Sequence, residues 1–533
     1  MKTNDLNPGP AISFATRHSR RKFLADVGRG TLLATVGPAL AGELELASPA
    51  LGRDGPEKLE FGEMEPLVAF MQETALTDLQ PAMAAKLKAG TPLRTLLAAG
   101  ALANARSFGG EDYIGFHTLM ALCPAHKMAD LMPSGQTALP VFKVLYRNTG
   151  RIQDHGGRKA EVLAPVAAEA GASVTEDAAR QLHEAVKARD TAGAERMLAA
   201  MVSKDPAAAF NALLEVVQDD TEVHRTVLPY RAWDLLDVVG QAHASTLLRQ
   251  SLRYCLNAEK YRRADWEEHG RVLTGLLDEH HLLGRAPGQR TAEDGYVENL
   301  SRTIFNGSPA EAAGAVAAAL AEGFDPGAIG ESLALAANQI VLRDPGRPAA
   351  WESPGKPVGS VHGDSIGVHA SDSVNAWRNL SRVSQGRNVH ACLILGAWQV
   401  ARDRAGRPEL VSASPLPTEY HVREYAGVSD SAQLLAKLDE AIRGNLQGHA
   451  PAVIQRIADL KLPEEPVFQC LLKYACSEDG SLHAEKYFST ARDDFRTTRA
   501  AFRWRHLAGL ARVTASEYGR PAAGQAEART LLG

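Results

Sequence analysis

The amino-acid sequence predicts an all-α protein, an internally repeated array of helical pairs forming one large or two intimately packed helical domains. Three observations predict it. Ala-rich stretches with apolar residues at three- and four-residue spacing recur along nearly the whole chain, runs of alternating β-branched residues are nearly absent, and two distant segments share a motif. A chain of 533 residues that is 45% hydrophobic and 23% charged can bury a sizeable core and is not of the disordered class. Its net charge of -5 leaves no basic excess for a phosphate backbone, which argues against nucleic acid as a partner.

At the N-terminus, Ser19-Arg20-Arg21-Lys22-Phe23-Leu24 follows a polar leader and precedes a short apolar stretch ending at Ala39-Leu40-Ala41. This segment resembles a twin-arginine signal peptide spanning residues 1–41, with cleavage after Ala41. The stretch from Leu24 to Ala41 carries Asp26 and Arg29, so it is too short and too polar to persist as a membrane anchor. The resemblance implies a protein that folds in the cytoplasm, meets the twin-arginine translocon and ends in the periplasm or cell envelope without a stable membrane span. It also implies a route suited to proteins that take up a metal or cofactor before export.

After a linker at residues 42–62, the helical periodicity begins. Amphipathic patterns cover Leu67 to Leu87, Pro92 to Ala105, Glu176 to Met201, Ala207 to Val217 and Ala310 to Glu322. Thr175-Glu176-Asp177 and Ser308-Pro309 supply helix starts. Gly and Pro cluster at Arg285 to Gln289, a connector, and at Arg343 to Gly359, a long irregular loop of the kind that often carries function. The expected division is a first repeat half at 63–290, a second at 291–428 and a C-terminal helical region at 429–533. Cys123, Cys255, Cys392, Cys470 and Cys476 are too few and scattered for a disulfide framework and read as buried small residues.

The repeat is most visible where Gly110 to His117 and His362 to His369 share Asp-x-Ile-Gly-x-His. A looser copy begins at His224, followed by Ala232-Trp233 and His243-Ala244, as His369 is followed by Ala376-Trp377 and His390-Ala391. A further echo links Asn257-Ala258-Glu259-Lys260-Tyr261 with His483-Ala484-Glu485-Lys486-Tyr487. Duplicated halves packed face to face bring equivalent positions together, so the repeated histidines are expected to converge. Imidazoles suit Fe, Zn, Cu or Mn, which makes His117, His224, His369 and His390 candidate metal ligands, with His362 reaching in from the loop. Asp112 and Asp364 are the candidate catalytic carboxylates: they could ligate, orient the histidines by a hydrogen bond, or simply cap the helices that follow. Acidic residues near the 343 to 359 loop could gate access. Trp233 and Trp377 read as core, His280-His281 as partners of a helix dipole, and Arg503, Arg505 and His506 as a solvated face.

No dinucleotide glycine fingerprint, phosphate loop, His-Glu-x-x-His, nucleophile elbow or covalent-haem motif is present. The histidine-led helices, as in His117-Thr-Leu-Met-Ala-Leu and His369-Ala-Ser-Asp-Ser-Val-Asn-Ala-Trp, resemble the questin oxidase-like proteins over about residues 60–420. Those are helical oxygenases whose members include histidine-ligated iron enzymes, and the resemblance implies a histidine-bound iron centre. The expected function is an exported non-haem iron oxidoreductase acting on a small organic molecule. A Zn- or Mn-dependent hydrolase or lyase, and a non-enzymatic helical scaffold binding an envelope partner, are the alternatives.

Overall fold

A computed structural model describes residues 58–167, 175–261, 267–363 and 365–533. The twin-arginine segment and Asp364 lie outside the described residues. Within them the fold is all-α: helices follow one another from residue 62 to 532, and only isolated β-bridges occur. No described helix is long and apolar enough to cross a membrane.

Four triplets of helices organise the site. The first is α1 (Leu93–Phe108), α2 (Tyr113–Ala129) and α3 (Leu139–Asp154), and the second is α4 (Pro206–Val217), α5 (Val223–Asp234) and α6 (Ala244–Ala258). The third is α7 (Pro326–Arg343), α8 (Ile366–Val383) and α9 (Arg387–Ala405), and the fourth is α10 (Glu465–Ser477), α11 (His483–Thr497) and α12 (Trp504–Glu517). In each triplet the middle helix packs on both its neighbours, and the four middle helices close a ring in which α2 touches α5, α5 touches α8, α8 touches α11 and α11 touches α2. One hydrophobic core runs from Phe61 to Ala528, across the borders expected at 290 and 428.

Local chemistry explains the elements. Ser308 caps Pro309–Ala321 in a reciprocal box with Glu311, and Thr175 accepts from the Ala178 amide. The periodic stretch 176–201 is two helices, because Arg189 turns left-handed and Asp190 caps a new start at Thr191. The stretch 67–87 likewise breaks at Thr74 and Ala75, outside any helix.

The repeated glycines have a packing reason. A Cβ at Gly115 would lie 2.5 Å from the Phe108 ring, and one at Gly367 would lie 2.8 Å from the Val341 backbone. Glycine at this register lets α1 sit close on α2, and α7 on α8. Trp377 is wholly buried with its indole N–H donated to Gln399 at 2.7 Å, while Trp233 stacks on Phe210 with ring centres 4.4 Å apart. All five cysteines are free thiols, four of them buried.

Two expectations change. His506 is buried rather than part of a solvated face, donating to or accepting from Thr498 Oγ1 at 3.0 Å. The echo between 257–261 and 483–487 joins unlike places, since Asn257 lies in the last turn of α6 whereas His483 opens α11.

Candidate metal centre

Each middle helix delivers one histidine from its first turns: His117 is the fifth residue of α2, His224 the second of α5, His369 the fourth of α8 and His483 the first of α11. Helix N-termini carry partial positive charge, which disfavours a protonated imidazole there. The ring of packed helices turns these four positions inward and together. His117 Nε2 lies 3.2 Å from His224 Nε2, and His369 Nε2 lies 3.2 Å from His483 Nε2. The two pairs adjoin, with ring centres 5.2 Å apart between His117 and His483 and 5.8 Å apart between His224 and His369.

The protons of the first pair can be assigned. His117 Nδ1 lies 2.7 Å from the Tyr113 carbonyl, which can only accept, so Nδ1 carries the hydrogen. His224 Nδ1 lies 2.6 Å from Glu222 Oε1. Burial alone would raise the Glu222 pKa, but His224 and hydrogen bonds from His224, Tyr254 and the Arg225 amide outweigh it and hold the carboxyl far below its usual range. An ionised Glu222 accepts only, so His224 Nδ1 also carries its hydrogen. In the neutral rings both Nε2 atoms are then lone-pair donors facing each other at 3.2 Å, which is unfavourable without a positive charge between them. His117 itself does not carry a proton on Nε2: burial, then the charge of Lys486, pushes its pKa well below normal.

In the second pair His483 is less constrained. His483 Nδ1 is buried without a hydrogen-bond partner among the described residues. Burial, then Lys486, again pushes its pKa well down. The loop before α8 packs hard on it: a Cβ at Gly363 would lie 2.1 Å from His483 Cβ. That close approach brings His362, buried, to 3.9 Å from Glu517 Oε1, while the Gly363 amide donates to the same oxygen at 2.7 Å. A cavity of about one water's size opens against His483, bounded by Glu517, Glu478 and Tyr487.

Of the expected ligands, His117, His224 and His369 therefore meet, and His362 adjoins them beside Glu517. His390 stands apart, with its Nε2 3.0 Å from the Arg285 carbonyl. Asp112 caps α2 through the Gly115 amide at 2.7 Å and pairs with Arg151, so both its oxygens are committed away from the histidines. Asp364 lies outside the described residues; the cap of α8 is Ser365.

Sequence reasoning missed His483 and Glu222. The signal for His483 was its place in a repeated segment before an Ala-Glu-Lys-Tyr run, paired there with the wrong counterpart. Glu222 precedes His224 by two residues, and its four contacts are His224 Nδ1, the His224 amide at 2.9 Å, the Arg225 amide at 3.0 Å and Tyr254 Oη at 2.7 Å. As placed, no three or more His, Cys, Asp or Glu side chains among the described residues form a preassembled metal-holding group.

No protein-family model matches this chain, no curated protein matches it, and no solved structure matches it.

Proposed function

We propose that His117, His224, His369 and His483 hold one transition-metal ion, and that the protein is an exported metal-dependent oxidoreductase, with iron the favoured metal, acting on a small organic molecule. The observation that carries this is the His117 and His224 pair: two Nε2 lone pairs face each other at 3.2 Å with both Nδ1 protons already committed. Two imidazoles sharing one ion at about 2.0–2.1 Å have their nitrogens roughly 3.0–3.4 Å apart. The second pair has the same spacing. A small inward movement of the two pairs would complete the set.

The chain's own residues have definite parts. The Tyr113 carbonyl and Glu222 fix ring orientation and tautomer, and an anionic Glu222 raises the donor strength of His224. Burial keeps His117 and His483 neutral, the form that ligates. Four imidazoles leave open positions on an octahedral ion, and such an ion, once bound, supplies redox or Lewis-acid chemistry. Loading before export fits the twin-arginine resemblance of residues 19–24. The helical oxygenase resemblance favours iron, and the all-histidine donor set disfavours Mn, which prefers oxygen ligands.

Elemental analysis of the full chain purified from its native cytoplasm tests this, beside His117→Ala with His369→Ala. Near-stoichiometric iron that the double variant loses, together with oxygen consumption, is the expected result. Zinc or manganese would move the chemistry to hydrolysis or lyase action. A folded, metal-free wild type that stays metal-free when offered iron would reject the centre.

A further inference from the structure

Lys486 follows His483 by one turn of α11, on the same side of the helix. It is 3% exposed, yet among the described residues no carboxylate or other acceptor lies within bonding distance of its ammonium. Two other buried cations meet acceptors directly. Lys143, equally buried, meets Glu485 at 2.6 Å and the Ala475 carbonyl at 2.9 Å, and Arg378 meets Asp494 and Thr497. Lys486 is left out of this pattern.

Its surroundings are charged but not in contact. Asp372, one turn beyond His369, accepts from Thr490 at 2.8 Å and reaches Lys486 only through its field. Arg231, two turns beyond His224, has Asp234 at 3.7 Å, and its Nε is buried without a partner. Met120 and Val227, one turn beyond His117 and His224, are buried and apolar. Beneath the four histidines Lys486 and Arg231 thus stand near the carboxylate of Asp372, with Asp234 beside Arg231 and Glu485, paired with Lys143, next to Lys486. An unpaired buried ammonium is costly, and burial pulls the Lys486 pKa down to about 8. A resident anion would remove that cost.

We propose that Lys486 receives an anionic oxygen of the substrate, so that small organic anions, carboxylates or phenolates, are the class this site takes. The proposal rests on reading the histidine cluster as a binding site, though not on the metal. Tyr113 marks the way in: it is 37% exposed while its ring centre lies 4.4 Å from that of His117, so solvent is one ring's thickness from the cluster.

The test is calorimetric titration of benzoate and 4-nitrophenolate into the full chain, with metal content read on the same samples, for wild type, Lys486→Met and Lys486→Arg. Wild type should bind at least one probe, Lys486→Met should bind it about 10- to 100-fold more weakly, and Lys486→Arg should retain part of the affinity. Because Met removes an unsatisfied charge at similar volume, Lys486→Met should unfold about 1–3 °C higher, the opposite of what a structural lysine would show. Equal probe binding by wild type and Lys486→Met overturns the proposal. So does a wild type that binds neither probe, or a Lys486→Met that fails to fold. The two readings part cleanly: lysine-dependent binding in a metal-free wild type rejects the metal and keeps the anion site, while metal with lysine-independent binding does the reverse.

Discussion

The two histidine pairs have the same nitrogen spacing and different support. In the pair from α2 and α5, every Nδ1 is spoken for, by the Tyr113 carbonyl and by a Glu222 that is itself saturated with donors. In the pair from α8 and α11, His483 Nδ1 has no hydrogen-bond partner among the described residues, and its position is set instead by the packing of Gly363 against its Cβ. Hydrogen bonds fix a tautomer and a direction; packing fixes only a place. The first pair is therefore the preorganised half of the site, and His483 is the member of the second left to adjust.

Breaking the first pair should have the largest effect. His224→Ala is expected to abolish stoichiometric metal binding, whereas His483→Ala should leave a weakened site with residual metal, measured by metal titration of the folded variants. The next effect uses a histidine outside the pairs as a control. Burial pushes the His506 pKa down to about 3, below its unfolded value of about 6.5. Its contribution to stability is complete above pH 6.5 and is lost as pH falls, at about 1.4 kcal/mol per pH unit, or roughly 2 kcal/mol between pH 6.5 and 5. Denaturant unfolding should show that loss, His506→Gln should flatten it, and added metal should not, whereas metal should relieve whatever acid sensitivity the pairs contribute.

Glu222→Gln sharpens the comparison further. It keeps the shape of the side chain while removing the anionic acceptor, and should weaken metal binding about 10- to 100-fold without unfolding the protein. The second pair offers no equivalent substitution at His483. The smallest effect is at Asp112. Asp112→Ala removes a helix cap and the partner of Arg151, and should cost about 1 kcal/mol of stability with metal affinity unchanged.

Much of this was legible in the sequence, for identifiable reasons. Helical periodicity and caps such as Ser308 report local physics and survive into the fold. The Asp-x-Ile-Gly-x-His motif picked out His117 and His369, two of the histidines that converge, because Gly115 and Gly367 are needed for close helix packing two residues before them. At Asp112, of the roles the motif left open, the helix cap is the one observed: its carboxylate serves the Gly115 amide and Arg151. His390 shared the repeat's sequence but faces the Arg285 carbonyl, because it sits on α9, outside the ring of middle helices. His483 and Lys486 were hidden for the converse reason: membership of that ring depends on how α11 packs between α8 and α2, a long-range fact that no local pattern encodes.

The most direct measurement is X-ray absorption at the metal edge of the loaded full chain, compared with His224→Ala and His483→Ala. Four imidazole nitrogens at about 2.0–2.2 Å in wild type, falling to three in His483→Ala and with the metal lost from His224→Ala, is the predicted result. A bound metal whose nitrogen shell is the same in all three proteins would place it elsewhere and contradict the four-histidine centre.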